Sequence, residues 1–134
     1  MLLSHFTKVS TQIVEKKYLL QALQSLGWAY REGRASVPDY QGQQLPVDIC
    51  ATVPGMARSI GFKESNGRYE VVADWWNMGM TEQQFVNTVS QRYAYMAVHE
   101  KLQEQGFALE NQESRTDGSI RMVMKRKVKV RARS

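Results

Sequence analysis

Asn66-Gly67 lies between two strand-like segments, Ser59 to Lys63 and Tyr69 to Trp75. Asparagine and glycine accept the positive φ angles of a two-residue hairpin turn, so the pair ties two antiparallel strands in one register. Just upstream, Val47, Ile49, Ala51 and Val53 alternate with Asp48, Cys50 and Thr52, the period of a half-buried strand, and Pro54-Gly55 ends it. An antiparallel sheet is therefore the frame against which the rest of the chain must pack.

Two segments have helical period. From Thr81 the chain reads as a long helix: Thr81 and Gln84 form a capping box, and Met80 can staple onto Phe85. Phe85, Val86, Val89, Tyr93, Met96 and Ala97 make one apolar face, closed by Gly106. A shorter helix is expected over 15–26, with Leu19, Ala22, Leu23 and Leu26 on one face and Gly27 as its stop. A first strand is expected over 4–13 and a short one from Trp28 to Arg31. The segment from Gly33 to Leu45, punctuated by Gly33, Pro38 and Gly42, reads as a polar loop. Two last strands, Phe107 to Glu113 and Ser119 to about Val130, would turn at Asp117-Gly118. The expected class is α+β: a mainly antiparallel sheet with both helices on one face, a ferredoxin-like sandwich being one candidate elaboration. Strand order is not legible.

The 134 residues suit a single domain, 1–134, with a basic strand or tail at about 120–134. Cys50 is the sole cysteine, which rules out an intrachain disulfide framework and suits a reducing compartment. No apolar run is long enough to span a bilayer. The first residues carry neither a basic leader nor an apolar secretion stretch.

Charge is unevenly placed. Seven of the eighteen Lys and Arg, and none of the thirteen acids, fall between Ile120 and Arg133. Without those seven, eleven bases stand against thirteen acids, a net −2. Lys125, Lys127, Lys129, Arg131 and Arg133 occupy every second position, so a continued strand would line them along one face toward an anionic partner. Such a row can follow a phosphate backbone. It can equally be a solvated edge strand whose lysines oppose edge-to-edge aggregation. Tyr69, Trp75, Trp76, Tyr93 and Tyr95 could offer stacking surfaces to unpaired bases, although no recognised nucleic-acid module accompanies them.

Trp75-Trp76 and the loop residue Tyr40 are the interface candidates. In a strand the two tryptophans would point to opposite faces, so with Trp75 inward Trp76 is exposed or covered by a partner. A sheet covered on both faces, by helices on one and by the Gly33–Leu45 segment on the other, accounts for the pair equally well. His5, His99, Cys50 and Asp48 lack metal-ligand spacing, and structural roles are expected for them. Asp74 and Arg92 could pair at a sheet–helix junction. Alternatively, Asp74 could cap the turn at Asn77 to Gly79. No catalytic residue, cofactor or metal is expected, there being no Walker or dinucleotide glycine pattern.

Several short segments, taken in order, resemble one family. They are Ser4-His5-Phe6-Thr7, Thr11-Gln12-Ile13, Tyr40-Gln41-Gly42, Ile60-Gly61-Phe62, Tyr69-Glu70 and Val72-Ala73-Asp74, followed by Gln91-Arg92-Tyr93-Ala94-Tyr95, Gln105-Gly106-Phe107 and Asp117-Gly118-Ser119-Ile120-Arg121. Their order and spacing are similar to those of the Ycf thirty-five family, hypothetical reading frames of cyanobacteria and algal plastids. The resemblance covers nearly the whole chain. It implies a cyanobacterial cytoplasm or plastid stroma and carries no established activity.

The leading expectation is an accessory or adaptor protein that binds another protein, as yet unidentified. An RNA- or DNA-binding module built on the basic strand is the alternative. An enzyme acting on an anionic small molecule near His5, Asp74 and Arg92 is the weaker third. Oligomeric state cannot be read.

Overall fold

A computed structural model describes residues 5–116 and 119–127. In chain order the elements are β1 (Thr7–Ser10), α1 (Lys16–Ser25), β2 (Ala29–Pro38), β3 (Gln44–Thr52), β4 (Ile60–Ser65), β5 (Arg68–Ala73), α2 (Glu82–Glu104), β6 (Phe107–Ser114) and β7 (Ile120–Arg126). Strands β2 to β5 run as a meander and β1 joins its end, giving the order β1-β5-β4-β3-β2. Every neighbouring pair is antiparallel. The class is α+β, as expected. The ferredoxin-like elaboration is replaced by this meander, because α1 links the two edge strands β1 and β2, with three strands between them, and α2 leads out of the sheet to β6, so two interleaved β-α-β units do not form.

The turn that frames the sheet behaves as its residues dictate. Asn66 and Gly67 have φ of 53° and 79°, and Ser65 pairs directly with Arg68. Strand β1 is shorter than its sequence pattern because Thr11 leaves the ladder: its hydroxyl donates to the Tyr69 carbonyl (2.6 Å) and accepts from the Ile13 amide (3.0 Å).

Both helices cover one face of the sheet. Leu19 and Leu23 of α1, with Phe85 and Val89 of α2, pack onto Ile49, Ile60, Phe62 and Val71, all fully or almost fully buried. Phe85 is the centre of this layer: Trp28 stacks on it at 5.4 Å, and Phe62 and Trp75 meet it at 5.8 and 5.6 Å. The capping box forms as the sequence requires, with Gln84 N–H donating to Thr81 Oγ1 and Thr81 N–H to Gln84 Oε1. Helix α1 has no side-chain cap of its own. Instead the Tyr93 hydroxyl on α2 accepts the Val14 and Glu15 amides. Lys17 of α1 also bonds Glu100 of α2, and this, with the Tyr18 hydroxyl, holds the Glu100 carboxyl below its ordinary pKa. A depressed carboxylate pKa adds stability above its unfolded value, and that contribution fades as pH falls through the folded value.

The largest departure from expectation is the segment from Gly33 to Leu45. It is strand and not loop: Ala35 to Pro38 pair with Gln44 to Val47, leaving only Asp39 to Gln43 to turn. The breakers mark bends within a hairpin arm. Gly33, with φ +89°, sits in a bulge where Gly33 and Arg34 together oppose Asp48. An extra residue of this kind bends and twists the strand. Beyond it the arm leans back across the second face of the sheet, and β2 touches β4 and β5 although it is last in the strand order. Val47 and Ile49, which would share a face in a regular strand, therefore join different clusters. Val37 and Val47 of the arm close on Val72, with Phe6, Ala35, Leu45 and Cys50 around them.

Gly61 is what lets the arm close. A Cβ placed there would lie 2.4 Å from Val47 Cγ1. Strands β6 and β7 form a separate two-stranded sheet beside the C-terminal half of α2, where Tyr95 bonds Gln112. The expected Asp117-Gly118 turn lies outside the described residues.

Two outcomes follow. Gly61→Ala should cost about 1–3 kcal/mol in urea unfolding through overpacking. The cost should shrink in a Val47→Ala background, since contacting sites couple; equal costs in the two backgrounds would refute the seating of the arm. Phe85→Ala should lose about 3–5 kcal/mol, the range for emptying a buried aromatic position.

Candidate interaction surface

Asp74 follows the last residue of β5 and is 2% exposed. Its Oδ2 accepts the Tyr40 amide at 2.7 Å, and its Oδ1 accepts the Trp76 amide at 3.0 Å. The Arg58 guanidinium stands 4.0 Å from Oδ1 and donates to the carbonyls of Asp74 (3.1 Å) and Trp76. A buried carboxylate needs such donors, and together they offset its desolvation. One side chain thus joins the tip of the β2–β3 arm to the segment leaving β5. The tip has its own brace, since Asp39 Oδ1 accepts the Gln41 and Gln43 amides, each at 2.9 Å.

This frame presents aromatic rings to solvent. Tyr40 and Trp76 lie 5.1 Å apart and are 42% and 63% exposed. His5 meets Tyr40 edge-on at 4.5 Å, and Gln41 Nε2 donates to the Tyr40 hydroxyl at 3.0 Å. Tyr40 and Trp76, 36 positions apart in the chain, therefore share one surface. Trp75 does not belong to it, because it turns inward onto Phe85. Both tryptophans lie past the end of β5, so their divergence comes from the Asp74-centred turn rather than from strand alternation.

The polar candidates separate. Arg58, and not Arg92, accompanies Asp74; Arg92 lies over the Tyr95 ring on α2 at 5.8 Å. His5 reaches the network through the Tyr40 ring, but no described contact joins Arg92 to His5 or Asp74. His99 stacks on Tyr95, and Cys50 is half-buried against the arm. Among the described residues no cluster of His, Cys, Asp or Glu could hold a metal ion, and no helix is long and apolar enough to cross a membrane. Arg58 escaped sequence reasoning because a single arginine between a Pro-Gly turn and a strand has no pattern to mark it.

At the basic end, Lys125 pairs with Ala108 across the β6–β7 ladder and Lys127 follows the end of β7; both are exposed. The Arg126 guanidinium lies over Phe107 at 5.0 Å. Lys129, Arg131 and Arg133 lie outside the described residues. Of the aromatics offered for stacking, Tyr69 is buried and Tyr93 is committed to α1.

These features define an α+β protein with a helix-covered antiparallel sheet and an arm whose tip sets Tyr40 beside Trp76 as an exposed aromatic pair. The chain belongs to the family described as protein of unknown function (DUF1257), which matches residues 22–123. It is 33% identical to the uncharacterized protein ycf35 of Pyropia yezoensis and 32% identical to that of Cyanophora paradoxa. Each comparison covers 92% of this chain and 98% of the relative. The ycf35 protein of Guillardia theta is 28% identical over the same shares. These homologues are plastid-encoded. No solved structure matches.

Asp74→Ala should destabilise the protein by about 2–4 kcal/mol, since it leaves two amides without their acceptor and the Arg58 guanidinium without its countercharge. Hydrogen exchange should accelerate at the Tyr40 and Trp76 amides more than at Ile60 or Phe62; uniform acceleration would deny Asp74 its local tethering role.

Proposed function

We propose that this chain is a one-domain accessory protein that acts by binding another protein, in a cyanobacterial cytoplasm or plastid stroma, without catalysis of its own. The observation that carries this reading is the exposed Tyr40–Trp76 pair on a buried ionic frame. Large aromatic side chains lose little conformational freedom on binding and dominate interface energetics. Here their backbone amides are already tied to a common carboxylate, so less ordering remains to oppose association. The plastid-encoded homologues support the compartment.

The exposed run Lys125, Arg126 and Lys127 at the end of β7 favours a second reading, in which this end contacts RNA or DNA. That binding would weaken steeply with salt, by counterion release.

Tagged protein purified from its native host, with and without nuclease, separates the two. A partner retained after nuclease and lost from the Trp76→Ala variant supports the first. Trp76→Ala should change folding stability by less than about 0.5 kcal/mol, as exposed substitutions do. It should weaken the partner complex by about thirtyfold, the equivalent of a 2 kcal/mol hot spot. Loss of every companion on nuclease treatment, with binding that survives Trp76→Ala but not removal of 125–134, would instead establish the nucleic-acid reading.

A further inference from the structure

The bend in the arm leaves a depression on the face away from the helices. Its volume is about 410 Å³, and Arg31 and Arg34 line it together with Tyr30, Ser36, Thr52 and Ser59, with Cys50 also at its wall. No acidic residue is among the lining residues. Glu32, the acid between the two arginines, instead pairs with Lys16 of α1 at 3.2 Å. None of the ion pairs among the described residues engages Arg31 or Arg34.

The bulge brings this grouping together. Arg34 is one of the two residues facing Asp48, the insertion that bends β2, whereas Arg31 pairs in register with Cys50. Bulges commonly re-aim side chains in this way. Asp48, the carboxylate closest along β3, is occupied elsewhere, accepting the Glu64 amide at 2.7 Å. The Ser36 hydroxyl is already given to Gln44 Oε1 at 2.8 Å, and the Tyr30 hydroxyl bonds Gln24 of α1. Two guanidiniums, the Thr52 and Ser59 hydroxyls and no competing carboxylate in the lining match the needs of a tetrahedral oxyanion, which takes planar forked donors from arginine and single bonds from hydroxyls.

We infer that this depression is a binding site for a phosphate group, either free phosphate or the phosphate of a small phosphomonoester. It is distinct from the Tyr40–Trp76 surface and does not depend on the function proposed for that surface.

Cys50 provides a direct readout, because it is the chain's sole thiol and it lines the depression. The full chain is alkylated with iodoacetamide in inorganic phosphate, in glycerol phosphate, or in sodium chloride of matched ionic strength. Bound phosphate should slow Cys50 alkylation saturably, by about tenfold at ten times the half-saturating concentration, and chloride should not. Arg31→Gln with Arg34→Gln should abolish the protection. A stronger effect of glycerol phosphate than of inorganic phosphate would assign the site to a monoester, and the reverse order to the free ion. Amide NMR spectra of the unmodified protein make the test independent of how well the variant folds. Phosphate-dependent shifts at Arg31, Ser36, Thr52 and Ser59 support the site. Shifts confined to Lys125–Lys127, or none at all, overturn it. Alkylation indifferent to phosphate, or slowed equally in the double variant, overturns it as well.

Discussion

The close approach of Val47 to the bare backbone of Gly61 is the contact on which the second face of this protein depends. A five-stranded sheet covered by helices on one side only would leave Val72 and its neighbours to water. The chain covers them with its own β2–β3 arm, and the arm can lie flat because one position beneath it has no side chain. Packing at this distance is intolerant: a single methyl group has nowhere to go. The bulge at Gly33-Arg34 and the missing side chain at Gly61 are separate devices with one result. The first bends the arm and the second receives it.

Seating the arm has a consequence at its tip. Tyr40 arrives beside the end of β5, where the Asp74 carboxylate takes its amide along with that of Trp76. Arg58 then supplies the countercharge that burial of the carboxylate demands. The exposed aromatic rings are therefore the outer layer of a structure whose inner layer is ionic and hydrogen-bonded. Such an arrangement fixes backbone positions while leaving the rings uncovered. It is also why Trp75 and Trp76 part company: the Asp74 turn sends one toward Phe85 and the other to solvent.

The same bend that seats the arm opens the arginine-lined depression near its base. Fold and surface are in this sense one problem. A straight β2–β3 hairpin would extend the sheet beyond β4, leaving Val37 and Val47 exposed and separating Tyr40 from Trp76. Helix α2 is comparatively independent of the arm, since its capping box and the Phe85 aromatic cluster act on the opposite face.

Local patterns were legible wherever the determinant was itself local. Asn66-Gly67, the Thr81–Gln84 capping box and the alternation from Val47 to Val53 announce their elements because turn conformation, capping and strand period are decided by neighbouring residues. The α+β class and the placement of both helices on one face follow from them. The arm reads as a loop in the sequence because Gly33, Pro38 and Gly42 are breakers, and a breaker looks the same whether it ends a strand or bends one. The pairing of Asp74 with Arg58, the meeting of Tyr40 with Trp76 and the place of β1 beside β5 depend on residues 16 to 66 positions apart. No local spacing encodes such contacts. The aromatic pair exists only after the arm has closed over Gly61, so sequence determined the pieces and tertiary packing decided which of them touch.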